Sequence, residues 1–130
     1  MVTTTSEASR YRSRFSNGTH TAYSDTTPDK GGGSRGFRPH ELLEAALGSC
    51  MNMHLRIYAD NHGIRLGEVT TTVTVDRKDP SQAAFQYSIA FSEALSPEQT
   101  AKLFQVALTC PVHNTLSRQI VFQPAGRGKT

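Results

Sequence analysis

The 130-residue chain has two cysteines, and each carries a histidine within one helical turn. Cys50 lies in "ELLEAALGSCMNMHLRIYAD", four residues before His54, and Cys110 lies in "ALTCPVHNTL", three before His113. Four readings are open. Cysteine is among the most buried side chains, so inward packing is one. A structural bridge is another, although chains kept in a reducing cytoplasm rarely use one. A tetrahedral zinc site on Cys50, His54, Cys110 and His113 is a third, since an i, i+4 pair shares a helical face. Against zinc, the second pair crosses Pro111, and zinc knuckles favour tight loops over long helices.

The fourth reading is a working thiol pair, and it needs more than two sulfurs. The thiolate is the nucleophile, and an apolar pocket by itself raises a cysteine's pKa and leaves it inert. A neighbouring cation is required, and arginine suits because it stays charged when partly buried. Arg14, Arg35 and Arg38 are the candidates, against the simpler reading of each as solvated surface charge. Gly48 and Ser49, directly before Cys50, thin the helix surface and suit a close approach there. Glycine in a helix interior costs ~1 kcal/mol relative to alanine.

The elements that must position these residues follow from periodicity and turn chemistry. "YRSRFSNGTHTAYSD" alternates around Asn17-Gly18, a hairpin signal. Residues 26–39 form a Gly/Pro-rich loop, read as a mobile connector because its glycines lack the Walker spacing. A long helix is expected over Pro39–His62, ended by Gly63. Its polar line is Glu41, Glu44, Gly48, Asn52, Arg56, Asp60, and its apolar, inward line is Leu43, Ala46, Leu47, Cys50, His54, Ile57, Tyr58. Residues 67–78 and 83–93 read as antiparallel strands turning at Asp79-Pro80. "SPEQ" opens a second helix with Ser96 as cap, Pro97 at the first position and Gln99 closing a capping box. Leu103, Val106, Ala107 and Cys110 form its inward line. Pro111 then re-aims the chain into a short helical turn, and "QIVFQ" reads as a last strand. Strands and helices in this order, without regular βαβ repetition, predict an α+β fold.

Composition narrows the classes. The chain is long enough for a single core. We expect one domain over residues 10–124, with a frayed Ser/Thr-rich start at 1–9 and a flexible tail at 125–130. Hydrophobic residues make up 36% and mean hydropathy is −0.45. The net charge of +3 is scattered and argues against nucleic acid as a partner. No apolar run reaches the ~18–20 residues of a membrane span, and no secretory signal core is present. A cytoplasmic protein is therefore expected.

"PHELLEAALGSCMNMHLRIYADNHG", "VTTTVTVDRK", "LSPEQTAKLFQVA" and "CPVHNTL" together resemble the OsmC/Ohr family (osmotically inducible protein C and organic hydroperoxide resistance proteins), in its broader OsmC-like branch. The likeness runs from about Gly32 to Gln123. It implies antiparallel sheets around a long central helix, in an intertwined homodimer with its active sites at the dimer interface. It implies a thiol peroxidase without cofactor or resident metal. Cys50 would be the peroxidatic cysteine and Cys110 the resolving one, joined in a disulfide. The substrate would be an organic hydroperoxide, and an external dithiol, such as a lipoylated protein, would restore the thiols. The hydroperoxide-resistance branch has a glutamate ten residues before its reactive cysteine, paired with a catalytic arginine. His40 stands there in this chain, and Glu41 is about 100° further round the helix. Arg14 sits in a hairpin comparable to the one that carries the family arginine. The absent glutamate motivates one alternative, an OsmC-like dimer that binds a small apolar ligand without turning it over. The Cys/His zinc protein is the other.

Overall fold

The computed structural model describes residues 1–126. Three short strands, β1 (Thr3–Ser6), β2 (Ser13–Ser16) and β3 (Thr21–Ser24), form an antiparallel sheet in the order β1-β2-β3. Helix α1 (Pro39–His62) follows, then β4 (Val69–Asp76) and β5 (Ala84–Phe91) as a two-stranded sheet. Helices α2 (Pro97–Ala107) and α3 (Pro111–Leu116) complete the regular structure, and the α+β class holds. The chain gathers into two compact units. The first comprises residues 1–46 and 72–87; the second comprises 47–71 and the chain from 88 onward.

In the first unit the start of the chain is a strand rather than a frayed end. Thr3 pairs with Ser16 and Ser6 with Ser13, so threonine's preference for the pleated conformation prevails over the lack of apolar residues. The turn expected at Asn17-Gly18 forms with Gly18 at φ +97°, and Asn17 Oδ1 accepts from the Thr19 and His20 N–H groups. The glycine-rich loop is wound around a carboxylate. Buried Asp25 accepts from the N–H groups of Thr26, Gly33 and Arg35. These donors, Thr26 foremost, hold its carboxyl below the ordinary value. A Cβ on Gly36 would lie 2.5 Å from the Tyr23 carbonyl oxygen, which accounts for glycine there. Arg12 reaches Glu7 at 3.0 Å and lies over the Tyr23 ring at 3.9 Å.

The second unit holds the core. Leu47, Met51, Leu55 and Ala59 of α1 are buried, with Leu66 and with Leu103, Val106, Ala107 and Cys110 from α2 and the residues after it. Helix α1 has the expected bounds. Pro39 opens it, and Gly63 at φ +64° closes it, with the Ile64 N–H returning to the Ala59 carbonyl. Its faces differ from the sequence expectation. Leu43 and Ile57, both placed on the inward line, are 44% and 59% exposed.

The line expected to face solvent instead docks β4 and the loop before it. Glu44 accepts from Val75 N–H, Asn52 bonds the Val69 carbonyl and the Thr71 hydroxyl, and Arg56 donates to the Gly67 carbonyl. Gly48, on the same line, is buried. Glu44 and Asn52 lie part-buried here because strand backbone and hydroxyls offer them partners, while Arg56 stays exposed. The capping box at Ser96 and Gln99 forms as expected.

"QIVFQ" forms no strand: residues 119–126 lack regular structure, and Phe122 is 93% exposed. Among the described residues no strand edge pairs with them, so alternation alone does not make a ladder. The expected tail falls partly on residues 127–130, outside the described residues. No described helix is long and apolar enough to cross a membrane.

Candidate active site

Both cysteines belong to the second unit, and the fold brings them together. Cys50 sits mid-way along α1, beside the buried Leu47–Met51–Leu55 line, and is half-buried. Cys110 follows α2, and Pro111 ends the carbonyl ladder there so that the chain restarts as α3. Cys110 is the N-cap of α3, and its Sγ accepts from the His113 N–H at 3.4 Å. The next amide, Val112 N–H, donates to Cys50 Sγ, also at 3.4 Å. One short turn therefore presents backbone donors to both sulfurs. Neither cysteine is bridged, and the two side chains are in hydrogen-bond contact.

The two sulfurs differ in environment. Cys110 is fully enclosed, at 0% exposure. Burial pushes its thiol up from the ordinary value, and the neighbouring Cys50 sulfur adds to this. The N–H groups of His113 and Val112 pull the other way without reversing it. Cys110 is thus the proton-holding partner, with an S–H able to donate to Cys50. Cys50 receives the Val112 N–H and is the more accessible sulfur.

The histidines turn elsewhere. His54 Nε2 bonds Thr109 Oγ1 at 2.8 Å, and the His113 ring lies 3.5 Å from the Ser117 hydroxyl. Among the described residues no group of three or more His, Cys, Asp or Glu side chains converges on a point where a metal could sit. In the alternative zinc set Cys50, His54, Cys110 and His113, the two rings have Thr109 and Ser117 as partners.

The remaining candidates lie in the first unit. Arg14 is exposed on β2, paired in register with Tyr23. His40 is exposed in the first turn of α1. Glu41 accepts from the Arg38 N–H at 2.7 Å and lies 3.5 Å from its Nε. These contacts hold the Glu41 carboxyl below its ordinary value. Arg35 bonds Asp25 through its backbone N–H. Sequence reasoning missed the Val112 amide, because backbone donors leave no residue signature. Pro111 was the one available signal, since a proline opening a helix turns the following amides toward its cap.

A long helix carrying one cysteine and a short helix capped by another, within an α+β frame, set two unbridged cysteines side by side. The chain belongs to the OsmC-like protein family, which it matches over residues 31–124. Solved structures agree. A Psychrobacter arcticus protein, named for osmotic stress induction and a detoxification response, superposes with a TM-score of 0.75 at 25% identity, over 88% of this chain and 85% of that one. An OsmC-like protein from Mycoplasma pneumoniae gives 0.70 at 19% identity, over 89% and 85%. The organic hydroperoxide resistance protein OhrB of Bacillus subtilis gives 0.64 at 19% identity, over 90% and 89%. No curated protein matches the chain.

Proposed function

We propose that the protein is a cysteine-based thiol peroxidase that reduces organic hydroperoxides. The observation that carries this reading is the contact of two unbridged thiols in unlike environments, Cys50 accessible and Cys110 enclosed. Hydroperoxide resistance in the names of structural relatives supports it.

Cys50 acts first, as the nucleophile, its sulfur facing the Val112 N–H and the Cys110 S–H. It attacks the terminal peroxide oxygen; an S–O bond forms and the O–O bond breaks. The leaving alkoxide takes a proton from solvent and becomes the alcohol, and Cys50 becomes a sulfenic acid. The Cys110 sulfur then attacks the Cys50 sulfur. The S–S bond forms, the S–O bond breaks, and the oxygen leaves as water with the Cys110 proton. A dithiol, such as a lipoylated protein, reduces the disulfide by exchange. The cation in this reading is Arg14 or a loop arginine, Arg35 or Arg38, and His40 and Glu41 stand at and beside the sequence position of the family glutamate. The working form is a cytoplasmic homodimer.

The test is intact mass and free-thiol count after one equivalent of cumene hydroperoxide is added to reduced protein. Wild type should lose both thiols, Cys110→Ser should hold one added oxygen at Cys50, and Cys50→Ser should not react. Two thiols still free after prolonged exposure would reject the reading.

A further inference from the structure

In the second unit, a cleft of about 530 Å³ opens between the later half of α1 and α2. Small-molecule sites commonly span roughly 300–1,000 Å³, so its size suits a compact organic ligand. Ile57 and Val106 supply aliphatic surface, Tyr58, His62, His54 and Lys102 line it further, and the polar Asn61, Gln105 and Thr109 complete the wall. No acidic residue lines it.

Hydrogen bonding fixes both histidines. The Thr109 hydroxyl spends its single proton on the Val106 carbonyl at 2.7 Å, so it accepts from His54 and Nε2 of that ring carries hydrogen. The Tyr58 carbonyl can only accept, so His62 Nδ1 donates to it at 2.8 Å. Nε2 of His62 is left as that ring's open polar atom, and the ring stacks on Tyr58 with centroids 4.0 Å apart. Lys102 forms no ion pair among the described residues. An ammonium without a counter-ion thus lines the same cleft as a rigid aromatic stack and an aliphatic surface.

We infer that this cleft binds a small organic monocarboxylate with an apolar body, its carboxylate on Lys102 and its chain along Ile57, Val106 and the Tyr58–His62 stack. One cation and a mostly apolar surface match a single negative charge; a phosphate dianion would demand more donors. The site does not depend on the peroxidase reading, since none of its contacts involves sulfur.

The experiment is calorimetric titration of octanoate into the reduced full-length protein without peroxide, with the imidazole resonances of His54 and His62 followed by NMR. Saturable one-to-one binding that shifts the His62 ring is expected, with octanol at least about tenfold weaker. Lys102→Gln should weaken octanoate about tenfold, and Lys102→Arg should largely retain it. Because Lys102 is exposed, both variants should fold. Absence of saturable binding, equal affinity for octanol, or an unchanged affinity in Lys102→Gln would each overturn the site.

Discussion

Cys50 and Cys110 are 60 positions apart in sequence, and what joins them is a proline. Pro111 opens α3, so Cys110 becomes a cap and the Val112 amide meets the other sulfur. The sequence made the cysteines, the proline and the neighbouring histidines visible. Their spacing satisfied a ligand pattern, while a threonine and a serine, ordinary in any sequence, take the rings. Asp25 is the opposite case: one acid in "YSDTTP" gives no warning that three backbone amides converge on it.

A pH effect belongs to the same scale. The Cys110 pKa is raised in the folded state, so the folded chain holds that proton more tightly than the unfolded one. The resulting stabilisation is complete below the unfolded thiol value, about 8.5, and is lost as pH rises through the folded value. Urea denaturation of reduced protein between pH 7 and 10 should show wild type losing more stability than Cys110→Ser. Equal losses would mean that burial does not hold the proton.

At the scale of elements, the bounds of α1 and α2 were legible because caps are local chemistry: Gly63, Ser96, Pro97 and Gln99 act within a few residues. The orientation of α1 was not. Apolar residues recur around much of its circumference, so periodicity offered two competing faces. The Glu44–Asn52–Arg56 line settles the choice through hydrogen bonds to β4 and its approach, a partner the helix sequence does not contain. Leu55 is fully enclosed on the resulting core face. Leu55→Ala should cost about 2–5 kcal/mol, against about 1 kcal/mol for loss of the Ser96 cap in Ser96→Ala. Chemical denaturation midpoints at constant slope check both.

At the scale of the molecule, every fully buried apolar side chain among the described residues lies in the second unit. The three-stranded sheet of the first unit has none, although small sheets generally need a covered face. Met53 stands exposed along α1, and Ile120, Val121 and Phe122 do so after α3. Apolar surface of this kind marks an association face, and the proposed homodimer would cover it. Sedimentation equilibrium should then return twice the 14.2 kDa chain mass. Met53→Lys should shift the protein toward monomer, and a monomeric wild type at micromolar concentration would exclude the dimer. The last strand failed as an expectation for a related reason, since alternation in "QIVFQ" records a preference that a single chain leaves without a partner edge.

The enclosure of Cys110 also decides how its chemistry can be observed. A bulky maleimide meets an accessible sulfur at Cys50 and a sealed one at Cys110, so brief labelling of native, reduced protein should add a single adduct. The same count could be mistaken for one oxidised cysteine. Only labelling in denaturant separates a hidden thiol from a vanished one.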